Sequence, residues 1–484
     1  MPSSLLLQPL LTADEMRRHE DHGLRTWGIS SLVLQEHAAL GALALLPEGA
    51  PLKVLAGPGN NGGDALALAR LARLRGHAVD VWPLGEPSSW RGDAALQARL
   101  WEGLGGGYCE IPDPRAALEG FQGWVVDGLF GLGARLPLQG RARLWVEALG
   151  PDVPRGFRVL ALDQPSGLDP SLGDLPGPCI QADRTACFGH RKICHGLRPA
   201  REACGAITVV PLPLPGCPEA GLALLEDPRL PGLPWDAHKR RAGHLAIRAG
   251  SLGMSGAAVL AAEGALRMGA GLVTLLVDPA LRAEIAAQVP EALVCPWEGR
   301  VPEGVDALLV GPGGVTDVPD WPGPLVLDAS ALGLWEGPRW LERPGTVLTP
   351  HAGEWARLFG GEPPREPSSR LAAVRQASGP AIRVLKGAQT LVAGGNDPQV
   401  WVNPTGHSGL ATGGSGDFLA GMVGALAARW GREDGRNGGV LRSHVAAAVW
   451  FHAAAADHLG AGPLRVRDLG PALSAVLRQR SGHA

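Results

Sequence analysis

At 484 residues the chain exceeds what one ordinary hydrophobic core organises, so two or three domains are expected. A hydrophobic fraction of 45% with 19% charged residues is that of a well-buried globular protein and excludes the composition of disorder. Lys and Arg number 44 against 47 Asp and Glu, and the resulting charge of −3 argues against a nucleic-acid footprint or a membrane-surface patch. Small molecules are the expected partners.

The start, "MPSSLLLQPLLTADEMRR", lacks a basic region before its broken apolar run and does not read as a secretory leader. Thr12 followed by Glu15 forms a capping-box pattern that predicts a helix beginning near Ala13. From Pro51 to Val81 the pieces "PLKVLAG", "PGNNGGD", "ALALARLARLRG" and "HAVDVW" predict a strand, loop, helix and strand in a right-handed βαβ unit. Further strands are predicted at "GWVVDGLFG" and "FRVLALDQPSG", and their continuous apolar character implies a parallel sheet covered on both faces.

Ligands of such sheets bind beyond the carboxyl ends of the strands. There the chain places Asn60, Asn61 and Asp64 on a glycine loop, Asp127 before "GLFGLGARLPLQG", and Asp163 before a turn holding Ser166. Singly, each is a helix cap or turn former. Together they predict a small-molecule pocket, and oxygen donors without His or Cys suit a hard cation.

Seven cysteines, at 109, 179, 187, 194, 204, 217 and 295, include no C-x-x-C pair, which argues against zinc and a disulfide framework and for a reducing, cytoplasmic setting. No apolar run approaches the roughly 20 residues that span a bilayer. Between Pro211 and His238 the chain turns proline-rich, which resists regular structure and marks the expected boundary between domains 1–220 and 221–484.

Beyond it a second α/β series runs through "GHLAIRAGS", a helix over 256–268, "GLVTLLVD", "VDALLVGPG", "GPLVLDAS" and "GTVLTP". A hairpin is predicted from "RVLKGAQTLVAGG" to "QVWVN". The loop "NPTGHSGLATGGSGD" then leads into a long apolar helix. Glycines at a helix start free backbone N–H groups for an anion such as phosphate. Asp417 in that first turn can take the proton of an attacking hydroxyl while the amides of 413–416 stabilise the phosphate, which is a kinase arrangement without a P-loop.

At these residues two resemblances become specific. "GPGNNGGDALALARLA", "VVDGLFGLGARLPLQGR", "ALDQPSGLDPSLGD" and "ADRTACFGHRKICHGLRPAREACGAITVVPLPLP" resemble successive motifs of the NAD(P)H-hydrate epimerase domain. That resemblance implies a Rossmann-like three-layer sandwich interconverting R and S hydrates at C6. It also implies potassium at Asn61, Asp127 and Ser166, Asp163 as the catalytic carboxylate, and substrate contacts at Asn60, Asn61, Gly62, Gly63, Asp64 and Gly131, Leu132, Gly133, Ala134, Arg135, Leu136, Pro137.

The motifs "AGSLGMSGAAVLAAEGALRMGAGLVTL", "LLVGPGG", "PLVLDASAL", "VLTPHAGEWARL", "VLKGAQTLVA" and the glycine loop resemble, in order, the ADP-dependent NAD(P)H-hydrate dehydratase domain, a ribokinase-like α/β fold. By that resemblance Lys386, Gly387, Ala388, Gln389, Thr390 and Gly416 contact ADP or ATP with magnesium, while Ala257, Gly313, His351 and the catalytic Asp417 face the hydrated cofactor. The family pattern has aspartate where this chain has Ser330. The expected whole is a bifunctional repair enzyme for hydrated NADH and NADPH, a homo-oligomer in the cytoplasm. The competing reading is a ribokinase-like vitamin or sugar kinase with a ligand-binding accessory domain.

Overall fold

A computed structural model describes residues 6–216, 218–230, 236–334, 336–432 and 438–481. The chain divides into two compact units, Pro9–Leu222 and Ala223–Ala484, the latter also taking in the described residues before Pro9. Within the first unit, helix Ala13–Trp27 begins as its sequence dictates, with Thr12 and Glu15 capping each other's backbone. Strand Leu52–Ala56, helix Asn60–Leu74 and strand Val79–Pro83 form the expected parallel unit.

All six strands of that sheet are parallel, with Leu52–Ala56 between Val79–Pro83 and Trp124–Gly128, followed by Arg158–Leu162, Arg184–Phe188 and Ala206–Val210. Strand order reverses beside Leu52–Ala56, and at such a reversal the flanking loops diverge and leave a crevice. Buried side chains cover both faces, for example Val54 and Leu68 on one side and Val125 and Trp145 on the other.

The second unit holds an 11-stranded sheet, parallel through its centre, with His244–Arg248 flanked by Leu272–Val277 and Ala307–Val310. Leu325–Leu327, Thr346–Leu348 and Ile382–Leu385 continue it in parallel, and Leu391–Gly394 with Asp397–Val402 adds two antiparallel strands. Helix Ser255–Arg267 packs tightly on helix Ser415–Arg432, because Gly264 and Gly421 let backbones approach; a Cβ at Gly421 would stand 1.9 Å from the Ala261 carbonyl oxygen.

One expectation is corrected here. The proline-rich stretch contains a strand, Leu222–Glu226, which joins the large sheet between Leu6–Leu10 and Asp397–Val402. Its five residues "LALLE" are buried except for the last, so tertiary pairing and burial outweigh the prolines around it. Among the described residues the cysteines are free, and no helix is long and apolar enough to cross a membrane.

Candidate functional sites

In the first unit, Asn60, Asn61, Asp64, Gly131, Leu132, Gly133, Ala134 and Asp163 line one cavity of about 570 Å³ at the carboxyl ends of the strands. The strand carrying Asp163 stops one residue earlier, at Leu162, and Asp163 adopts a left-handed backbone (φ 64°) that aspartate tolerates better than most residues. Its carboxylate pairs with the fully buried ammonium of Lys192 and accepts the Phe188 N–H at 3.1 Å. The same ammonium donates to the Phe188 carbonyl at 2.8 Å. Burial opposes the charge on Lys192, but Asp163 and Cys187 outweigh it and hold the ammonium above its usual pKa.

Lys192 was legible only as one lysine among four; nothing in "GHRKICHG" by itself announces that it meets a carboxylate 29 positions earlier. Glu20 and Asp93 also line the cavity, and neither was singled out from sequence. Burial, with Asp163, Glu20 and Asp93 nearby, pushes the Asp64 carboxyl well above the ordinary range.

Asp127 and Ser166 are outside the lining of this cavity, both fully buried. One Asp127 oxygen accepts the Ser166 hydroxyl at 2.7 Å and the Leu129 N–H at 3.2 Å; the other accepts the Ser166 N–H at 2.7 Å. Burial nevertheless pushes the Asp127 pKa up to about 6 against those bonds. The side-chain nitrogen of Asn61 is buried without a partner, and the Asn61 side chain lies against Gly131.

Not every predicted contact faces the cavity. Arg135, Leu136 and Pro137 are outside its lining, as are Gly62 and Gly63. A Cβ at Gly62 would fall 1.7 Å from the Gly57 carbonyl oxygen, and one at Gly63 would meet the Gln35 amide at 2.4 Å. Close packing is what these two glycines visibly serve, of helix against loop at Gly62 and of helix against helix at Gly63.

In the second unit, Asp417 sits in the first turn of helix Ser415–Arg432. Burial, then the neighbouring Asp328, pushes its carboxyl to about 6, while Lys386 works the other way. Lys386 Nζ donates to Asp328 at 2.7 Å, and Thr349 donates to the same oxygen at 2.8 Å. A Cβ at Gly416 would approach Lys386 Nζ to 3.4 Å, so the glycine loop and the lysine share one region. Although burial disfavours it, the Lys386 ammonium is held above its usual pKa by Asp328, Glu354 and Asp417.

Gly387, Ala388, Gln389 and Thr390 form the turn between Ile382–Leu385 and Leu391–Gly394. Arg370 holds this turn from behind by donating to the carbonyls of Leu385 (3.0 Å), Lys386 (3.3 Å) and Gln389 (3.0 Å). Ala257 and Gly313 are in close approach, a Cβ at Gly313 lying 3.0 Å from that of Ala257. His351 caps helix Ala352–Phe359, its Nδ1 accepting the Gly353 and Glu354 N–H groups, and its ring remains half exposed. Ser330 accepts the Val315 N–H and donates to the Gly311 carbonyl, both at 2.8 Å, and so ties two strand-end loops together.

Asp328, Thr349, Glu354 and Arg370 were missed from sequence. Asp328 had a signal, since it ends "PLVLD" just as Asp127 ends "WVVD". Both sites therefore define an enzyme with two α/β modules, each gathering carboxylates and a lysine, fully buried at Lys192 and partly buried at Lys386, near strand ends.

Residues 245–469 match the NAD(P)H-hydrate dehydratase family, and residues 32–194 match the family described as YjeF-related protein N-terminus. The chain is 32% identical to the bifunctional NAD(P)H-hydrate repair enzyme Nnr of Moorella thermoacetica over 93% of this chain and 92% of that one. It is 38% identical to the protein of the same name in Gloeobacter violaceus over 84% of each. Among solved structures, an ADP/ATP-dependent NAD(P)H-hydrate dehydratase from Bacillus subtilis, co-crystallised with ATP and Mg2+, is 29% identical, covers 52% of this chain and 94% of its own, and has a TM-score of 0.45. The chain belongs to the bifunctional NAD(P)H-hydrate repair enzyme family.

Proposed function

We propose that the first unit interconverts the R and S hydrates of NADH and NADPH at C6 and that the second dehydrates the S form at the expense of a nucleoside diphosphate or triphosphate. Family membership along both halves supports the pair of activities. The observation that carries the dehydratase chemistry is Asp417 standing in the first turn after the glycine loop, beside Lys386.

Hydroxide is a poor leaving group and phosphate a good one. Asp417 takes the proton of the C6 hydroxyl as its oxygen attacks the terminal phosphorus of the nucleotide. First-turn N–H groups, which have no partner within the helix, stabilise the transferring phosphoryl group. The ring nitrogen then expels phosphate, a proton leaves C5, and the dihydronicotinamide is restored. Lys386 neutralises nucleotide phosphate, and the main-chain turn 386–390, braced by Arg370, carries the nucleotide contacts. Asp328 and Glu354, the carboxylates acting on Lys386, would be the residues to hold magnesium arriving with the nucleotide, which would offset phosphate charge.

For epimerisation, Asp163 with its Lys192 partner is the proton-handling pair at C6. Asn61, Asp127 and Ser166 would hold potassium: a buried carboxylate raised to about 6, next to oxygen donors, suits a weakly hydrated cation. Its chemistry there would be charge balance for Asp127 and order in the 129–131 loop. Incubation with hydrated NADH, with ADP and ATP supplied separately and both epimers followed by chromatography, tests the reading. Recovery of reduced-nicotinamide absorbance with free phosphate supports it; accumulation of a stable phosphorylated product supports the vitamin or sugar kinase instead.

A further inference from the structure

Inverting C6 by loss and return of its hydroxyl sets a requirement that one proton-handling group cannot meet. The oxygen leaves from one face of the ring and returns to the other, so one group must donate a proton while another accepts one. Asp163, paired with Lys192, supplies one of them. We infer that Glu20 is the second catalytic group of the epimerase cavity, the acid that protonates the departing C6 hydroxyl. This rests on the epimerase reading of the same cavity.

Glu20 projects from helix Ala13–Trp27 and lines the cavity that Asp163, Asp64 and Asn61 also line. Its position puts it within electrostatic reach of both members of the pair: Lys192 and Asp163 are its strongest charged influences after burial itself. The two carboxyl groups have opposite surroundings. Asp163 accepts hydrogen bonds from an ammonium and a backbone N–H. Glu20 faces an acidic set instead, with Asp21 on its own helix, Asp64 on Asn60–Leu74 and Asp163 at its strand end, against Arg17 and Lys192. Burial, with Asp163 and Asp21, raises the Glu20 pKa to about 7 even though Lys192 and Arg17 oppose the shift.

The step balances. Glu20 gives its proton to the C6 oxygen, which leaves as water while the ring-nitrogen lone pair forms the C6=N1 iminium. Water adds to the opposite face, its surplus proton goes to Asp163, and the C6=N1 electrons return to nitrogen. The open cavity lets solvent carry the proton from Asp163 back to Glu20, so no proton is consumed and no oxidant or reductant is needed.

The test uses the full-length protein with purified R hydrate of NADH, no nucleotide, and exchange to the S form followed across pH 5.5 to 8.5 above the spontaneous rate. Wild type should lose activity as pH rises through about 7, because the acid form of Glu20 is the working one. Glu20→Gln should lower the catalysed rate about 100-fold with little change in KM and abolish that alkaline decline. Glu20→Asp should keep a decline with a displaced midpoint, which guards against a Gln variant that fails to fold. A Glu20→Gln rate within twofold of wild type with the decline intact, while Asp163→Asn is inactive, overturns the Glu20 assignment and leaves the epimerase reading standing. Transfer of the decline to Asp64→Asn alone overturns it in favour of Asp64. No catalysed exchange in wild type at any pH removes the epimerase reading itself, and the Glu20 assignment with it.

Discussion

Lys386 donates its ammonium to Asp328 across 2.7 Å, and the same ammonium is drawn on by Asp417 in the first turn of the helix that follows the glycine loop. A partly buried lysine held by one carboxylate is thus positioned toward the second, which must act as the base. Asp328→Asn removes the second-largest influence raising the Asp417 pKa, after burial, and releases Lys386 to Asp417. The acid limb of the dehydration rate should therefore move to lower pH, with kcat reduced at least tenfold by the loosened lysine. An unmoved acid limb in the variant would separate Asp328 from the titration.

Asp417→Asn should abolish nucleotide-dependent dehydration and spare epimer exchange. In wild type the dehydration rate should rise as pH passes about 6, because the base works only when deprotonated and burial has raised its pKa to that value. Equal loss of both activities on substitution would contradict the division of labour between the two units.

Asp163→Ala and Lys192→Met should each leave the S hydrate processed while the R hydrate persists. Lys192→Met keeps the buried volume but leaves the buried Asp163 without its cation in a cavity it shares with Glu20 and Asp64, a loss of a few kcal/mol in stability by the usual cost of an unpaired buried charge. Thermal melting alongside chromatography separates that cost from the catalytic one.

Asp127 offers a test of potassium that does not depend on turnover. Its folded pKa of about 6 lies above the ordinary 3.8, so its contribution to stability is fully present below about pH 4 and is lost as pH rises through 6. A bound cation offsets that loss. Potassium should raise the melting temperature of the protein at pH 8 and have little effect at pH 4, and Asp127→Asn should remove the difference. Equal effects of potassium and a bulky organic cation would count against the site.

Gly62→Ala should cost roughly 1 to 3 kcal/mol, because the new Cβ meets the Gly57 carbonyl and the backbone must move. The readout is a lowered melting temperature whether or not hydrate is present. If stability is unchanged and only substrate affinity falls, Gly62 serves the ligand rather than the packing of helix on loop.

What the sequence by itself determined is local. The Thr12–Glu15 cap, the alternation of short apolar strands with helices, the carboxylates ending strands at Asp127 and Asp163, and the glycine loop before Asp417 all follow from spacing and composition within one element or one turn. Tertiary structure alone decided which charges meet. Lys192 reaches Asp163 over 29 positions, Asp328 reaches Lys386 over 58, and Glu20 enters the same cavity as Asp163 from the first helix. Strand Leu222–Glu226 forms in a proline-rich stretch because Leu6–Leu10 and Asp397–Val402, both distant in sequence, lie beside it. The physical reason is range: backbone preference and hydrophobic period act over a turn or a strand, whereas burial and Coulomb interaction depend on separations that chain topology fixes.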